Sequence, residues 1–296
     1  MLIPSDKPHR MLYTSAFGFY PGGPLPVLSV GREDVLFLRR LLDAGAVRVT
    51  LDVDNTFEGR SSERNVVAEI RGTNPAETVL VGAHFDSWDA GQGAQDDGSG
   101  VAAVLEAARI LKGLGVAPRR TIRFAFFSGE EQALLGSRAY VEKHQAELDG
   151  LRAVVVMDSG AHVPRGFQIH GRTDVEAAAR TLLAPLSALG ASGVSSKASY
   201  DMDHAPFLTA GIPVFTLWVD EGEYDIHHHA ESDTFDKVDP QHLALDTAVI
   251  AVAASRLADS AEPPGRRLDA AESRELLRKV GLESVRRIVY EPDGRR

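Results

Sequence analysis

The chain has no cysteine, so no disulfide staples it and no thiolate serves as nucleophile or metal ligand. It has no apolar run near the roughly 20 residues that a membrane-spanning helix needs. Its opening residues, Met1 to Pro8, lack the apolar core of a signal peptide. The chain as given is therefore expected in the cytoplasm; a start further upstream, carrying a leader, would make it a secreted protein. Positive charge is in deficit, with 32 Lys and Arg against 42 Asp and Glu and a formal net charge of -10. That balance argues against a nucleic-acid backbone or an anionic membrane as main partner. No repeat occurs at solenoid spacing. What remains is ordinary globular composition, 44% hydrophobic and 25% charged over 296 residues, enough for one large domain or one domain with an appendage.

One stretch dominates: H-F-D-S-W-D-A-G-Q-G-A-Q-D-D-G-S-G, from His84 to Gly100. An apolar strand pattern, Thr78 to Ala83, precedes it, and a helix-like run, Val101 to Ala108, follows. Imidazole plus carboxylates is a ligand set suited to zinc or a similar divalent metal. Its glycines let the backbone fold tightly enough to bring those side chains together. Asp and Gly also fill ordinary loops, and Asp96 or Asp97 could simply cap the next helix.

Along the chain, hydrophobic period predicts the elements. A strand from Pro26 to Val30, a helix from Glu33 to Ala44 and a strand from Val47 to Val53 suggest a small β-α-β piece without a cluster of metal-ligand types. Strands follow at Asn65–Arg71, Thr78–Ala83, Thr121–Phe127, Ala153–Met157, Phe167–His170 and Pro213–Val219. Helices are predicted at Val101–Leu111, Gln132–Lys143, Asp174–Leu189 (broken or kinked by Pro185), Ala205–Ala210 and Leu243–Ala258. After Pro263-Pro264-Gly265, Ala270 to Arg286 reads as a charged, solvated tail helix, with room for an interface role; a homodimer is open for the chain as a whole. Strands alternating with helices imply an α/β fold: a mostly parallel, mixed central sheet with helices on both faces.

Ligands in such sheets bind beyond the carboxyl ends of the strands. There the sequence sets His84 and Asp86, then Glu130-Glu131, then Asp158, then His227-His228-His229. Each has a bland alternative, as a helix start, a cap or a surface cluster. Four strand ends offering carboxylates and imidazoles together suggest one site.

The motifs H-F-D-S-W-D-A-G-Q-G-A-Q-D-D-G-S-G, F-F-S-G-E-E-Q-A-L-L-G-S, V-V-V-M-D-S-G and H-H-H-A-E-S-D-T, in this order over about 150 residues, resemble the zinc-dependent aminopeptidase and carboxypeptidase family with two co-catalytic metals. The likeness is strongest to its carboxypeptidase Q branch. The resemblance implies a dizinc exopeptidase-like (phosphorylase/hydrolase-like) fold, two Zn2+ ions and a peptide substrate. Asp96 would bridge the ions, His84 and Asp158 would complete the ligands of the first, and Glu131 and His229 those of the second. Glu130 would be the general base, and Asp86 would hold His84 in place. His228 stands where many members have an oxyanion-stabilising Tyr. The segment around Tyr200, Asp203 and His204 resembles one near the substrate pocket, although Asp203 could equally cap a helix. The Asp96–Asp97 peptide is often cis in the family.

The resemblance also suggests a division into residues 1–62, part of a protease-associated-like lid element, 63–260, the catalytic domain, and 261–296, a C-terminal helix and polar tail. Dipeptidase and aminopeptidase chemistry both remain open. A glutaminyl cyclase resembles a one-zinc site, against which the five ligand types argue. An inactive, truncated binding module on this fold would be expected to lack Glu130 or a ligand, and none is missing.

Overall fold

The computed structural model describes residues 2–15, 27–54, 56, 59, 61–220 and 222–290. Two short strands, β1 (Leu2–Pro4) and β2 (Leu28–Val30), pair in parallel, and helix α1 (Arg32–Ala44) follows. The predicted strand over Val47–Val53 is absent among the described residues. That segment is irregular, with Val49, Leu51 and Val53 exposed, because no neighbouring strand takes up its backbone groups. Pro26 of the first predicted strand lies outside the described residues.

The main sheet is built from β3 (Val66–Ile70), β4 (Asn74–His84), β5 (Arg120–Phe127), β6 (Leu151–Val156), β7 (Pro164–Gln168), β8 (Gly193–Ser195) and β9 (Val214–Val219). Its order is β3-β5-β4-β6-β9-β7-β8. The central strands β5, β4, β6 and β9 run parallel, while β3 and β7 are antiparallel to β5 and β9. The sheet is thus mixed with a parallel centre, as the alternation of elements predicts.

Alternation along β4 explains the two-sided burial. Val79, Val81 and Ala83 face one hydrophobic cluster and Leu80 the other, since successive strand residues point to opposite faces. The first cluster is closed by α2 (Ser99–Gly113), α4 (Glu176–Leu183) and α7 (Pro240–Asp259). The second is closed by α3 (Leu135–Lys143), α5 (His204–Thr209) and α8 (Ala270–Lys279). A short helix, α6 (Tyr224–His227), follows β9, and α9 (Glu283–Tyr290) ends the described chain.

Several expectations change here. The tail helix is two helices, because Gly281 takes the left-handed conformation between them. It is also docked: Leu277 is fully buried in the second cluster, with Leu276 and Leu282 against it. The helix expected from Gln132 starts at Leu135, since Ala133 and Leu134 both have positive φ. Around Pro185 the predicted helix becomes α4 followed by a 3-10 turn, Ala184–Leu189. No helix among the described residues is long and apolar enough to cross a membrane.

Candidate metal centre

The parallel register brings the strand ends together. His84, the last residue of β4, pairs with Phe127, the last of β5, and Gly82 pairs with Val156, the last of β6. Glu130 and Glu131 therefore emerge beside His84 on one flank and Asp158 on the other. The loop from Phe85 to Gly98 folds back over them. At Gly93 the backbone is left-handed, and a Cβ would lie 2.4 Å from Ser87 Oγ; that hydroxyl donates to the Asp96 carbonyl at 2.8 Å. Glycine is needed there on both counts. The Asp96–Asp97 peptide bond is cis.

Asp96 lies between the imidazoles. Its Oδ1 lies 3.1 Å from His84 Nε2, and its Oδ2 lies 3.2 Å from His229 Nε2 and 3.5 Å from His228 Nε2. Asp158 Oδ1 is 3.7 Å from His84 Nε2, and Glu131 Oε2 is 2.9 Å from His229 Nε2. Two ligand groups result, His84 with Asp96 and Asp158, and Asp96 with His228 and His229. Glu131 Oε1 is buried without a hydrogen-bond partner, and Asp96 Oδ2 faces only the imidazoles of His228 and His229. Buried oxygens are rarely left so unless something else binds them, and the donor set of imidazoles and carboxylates is that of a divalent metal site. The residues fit a divalent metal centre.

The electrostatics agree. Burial pushes the carboxyls of Glu130 well above their usual range, and those of Glu131 and Asp158 above it. For Asp96, hydrogen bonding to His229 and His84 outweighs burial and holds the carboxyl down. His229 is raised to about 9: burial opposes this, and the Asp96 and Glu131 carboxylates overcome it.

Each imidazole has its far nitrogen fixed. His84 Nδ1 lies 3.0 Å from the carbonyl oxygen of Asp86, and His229 Nδ1 lies 2.9 Å from that of Thr14. A carbonyl only accepts, so Nδ1 carries the proton and Nε2 is turned to the carboxylates. The Asp86 carboxylate lies further off, at 3.7 Å from His84 Nδ1. It accepts instead from the backbone amides of Glu130 and Glu131, at 3.2 and 3.3 Å. Asp86 thus holds His84 mainly through its main chain, and the glutamate pair through its side chain. Asp97 is structural, its carboxylate accepting from His84 N and Gly100 N at 3.1 Å each.

A cavity of about 550 Å³ opens over the cluster. Asp96, Glu130, Glu131, Asp158, His228 and His229 line it, with Tyr13, Lys197, Tyr200, Asp201, Trp218 and Tyr224 among its walls. Asp203 and His204 do not. Both are fully buried, and His204 stacks on His170 with centroids 3.8 Å apart while its Nε2 donates to Ser199 O. Both pack beneath the wall at the start of α5, and Asp203 makes no side-chain cap to that helix. His227 bonds Ser232 Oγ at 2.8 Å, and Trp88 packs edge-on against His229.

Four residues around the centre carry no role in the sequence motifs. Asp233 accepts from the amides of Gln95 and Asp96, at 2.7 and 3.1 Å. Gln95 ties Ala161 N and Lys237 O to the same loop. Tyr13 and Thr14 reach His229 from the far end of the chain. Asp233 had a signal, the D-T pair beside the histidines; Tyr13 and Thr14 had none.

The chain is similar to known peptidases. Rat carboxypeptidase Q is 34% identical over 240 residues, 80% of this chain but 51% of that one, so the chain spans about half the length of that relative. The crystal structure of a peptidase M28 precursor from Shewanella amazonensis superposes with a TM-score of 0.77 at 30% identity, covering 88% of this chain and 60% of that one. BSAP, a zinc aminopeptidase from Bacillus subtilis, gives a TM-score of 0.53 at 28% identity, over 64% of this chain and 48% of that one. The model of peptidase family M28 matches residues 65–254, the span that holds every candidate ligand, and the chain belongs to that family.

Proposed function

We propose that the chain is a two-zinc exopeptidase that hydrolyses dipeptides or short peptides. The observation that carries this reading is Asp96, whose two oxygens face two separate histidine–carboxylate sets. His84 and Asp158 would hold one ion, and Glu131 and His229 the other, with Asp96 shared. Bound there, the ions would supply Lewis acidity that polarises the scissile carbonyl and acidifies the attacking water.

Glu130 belongs to neither ligand set, lines the cavity, and has its carboxyl raised by burial. It is the group to take the water's proton and return it to the leaving amine. His228 is pushed down to about 4 by burial, so it is neutral at pH 7 and can donate a hydrogen bond to the developing oxyanion. Retention of both ions in His228→Ala with a fall in kcat supports that role; loss of an ion would make His228 a ligand. The walls offer Asp201 and Asp225 to a substrate ammonium and Lys197 to a carboxylate, which favours a substrate with both termini free. Two wall carboxylates against one cation also suit an aminopeptidase, the second reading.

The test is hydrolysis of an unblocked dipeptide by zinc-loaded protein, beside Glu130→Ala and the same dipeptide blocked at either end. Turnover by the unaltered protein alone is expected. Loss on blocking the amino end only indicates an aminopeptidase, and loss on blocking either end a dipeptidase. No turnover over a broad panel, with both ions bound, would leave a binding module on a peptidase fold.

A further inference from the structure

Residues 5–15 run as a strap across the histidine loop. The strap is anchored at Ser5, whose amide donates to Val30 O, and at His9 and Arg10, whose amides both donate to the Glu33 carboxylate at 3.0 Å. Lys7 is buried, with its ammonium donating to the Asp225 carbonyl and lying 5.2 Å from the Tyr13 ring centroid. The Tyr13 ring stacks on the His229 imidazole, centroids 5.1 Å apart and planes 22° apart. Thr14 then closes a two-way backbone contact. Its amide donates to His229 O at 2.8 Å, and its carbonyl accepts from His229 Nδ1 at 2.9 Å.

The two histidines are thus supported from different places. His84 finds its Nδ1 acceptor two residues away, in its own loop. His229 sits at a left-handed backbone position and draws both its ring orientation and its tautomer from the strap, 215 residues distant in sequence.

Given the two-ion site proposed above, we propose that the strap is a positioning element for one ion only. Tyr13 and Thr14 govern the affinity of the ion on the Glu131–His229 side and leave that on the His84–Asp158 side unchanged. Partners that orient a ligating histidine are typically worth 10- to 100-fold in metal affinity, and that is the loss expected when the strap is disturbed.

The experiment is zinc titration against a competing chelator on the full chain, comparing the unaltered protein with Tyr13→Ala, Tyr13→Phe and Lys7→Met. His229→Ala identifies which binding step belongs to its side. We expect Tyr13→Ala and Lys7→Met to weaken that step alone by about 10- to 100-fold, and Tyr13→Phe to restore it, since the ring and not the hydroxyl does the stacking. Tyr13→Ala added to His229→Ala should cost nothing more. Equal weakening of both steps would mean a merely structural strap and would overturn the assignment, as would two unchanged steps. An unaltered protein that binds fewer than two ions would instead overturn the two-ion reading itself.

Discussion

Replacing Asp233 tests whether the metal loop is held by its backbone. The Asp233 carboxylate is buried and accepts from two amides, Gln95 N at 2.7 Å and Asp96 N at 3.1 Å. Alanine would leave both amide donors buried and unsatisfied. At about 1–3 kcal/mol for each orphaned group, Asp233→Ala should cost about 4 kcal/mol. Asparagine keeps one acceptor oxygen but turns an NH2 group towards the other amide, so Asp233→Asn should cost about half as much. Burial pushes the Asp233 carboxyl up, and those amides oppose it. Urea denaturation of metal-free protein at pH 7 measures the stabilities, and chelator competition measures zinc affinity, which should fall in the same order because Asp96 moves with its amide. Asparagine as damaging as alanine would show that charge matters rather than acceptor count. Two variants within about 0.5 kcal/mol of the unaltered protein would refute the brace.

Glu130→Gln should lower kcat roughly a hundred- to ten-thousand-fold with both ions retained, as metal analysis beside initial rates would show; retained activity would remove Glu130 as the base. Asp246, buried within α7, is pushed up to about 8 by burial, which outweighs the opposing effect of the His162 backbone. The fold keeps its proton where the unfolded chain has lost it, so stability should fall by a few kcal/mol as pH rises from about 4 to 8; Asp246→Asn should flatten that slope, and an unchanged slope would exclude Asp246 as its source. Zinc affinity should climb with pH up to about 9, because His229 must shed its proton before it can ligate; calorimetric affinities equal at pH 6 and pH 9 would contradict this. Leu277→Ala should cost about 2–5 kcal/mol by denaturation, since Leu277 is fully buried; a smaller effect would return α8 to the solvated tail that its charge suggests.

The strand ends were legible because their signals are local. Short, nearly continuous apolar runs mark β4, β5, β6 and β9, strands buried on both faces, and the parallel order follows from the intervening helices, so His84, Glu130, Glu131 and Asp158 could be put at one edge from the sequence alone. Contacts between segments distant in sequence were not legible. Nothing in Tyr13-Thr14 signals a contact with His229, because a stacking ring and a backbone carbonyl leave no spacing to read. The same reason hid the docking of α8: its exposed face is rich in Arg and Glu, and one turn of Leu276 and Leu277 decides burial. Val47 to Val53 shows the opposite failure, for alternation predicts a strand only where a neighbouring strand is present to pair with it.

The carboxylates of the centre show what finally separates support from chemistry. Asp86, Asp97 and Asp233 surround the same centre as Asp96 and Glu131, and by residue type any of them could be a ligand. Each of the three, however, accepts two backbone amides, which occupies its oxygens and fixes a loop. Asp96 and Glu131 each keep a buried oxygen with no such partner. A buried carboxylate must be satisfied by donors, a proton or a cation. Where the backbone supplies donors the residue is scaffold, and where it does not, the oxygen is available to an ion. Asp203 takes the third course. Packed beneath the wall and pushed to about 7 by burial, it can be accommodated as the neutral acid, which a ligand cannot be. The division of labour is therefore set by amide geometry across the strand-end loops, and a sequence motif records only its outcome.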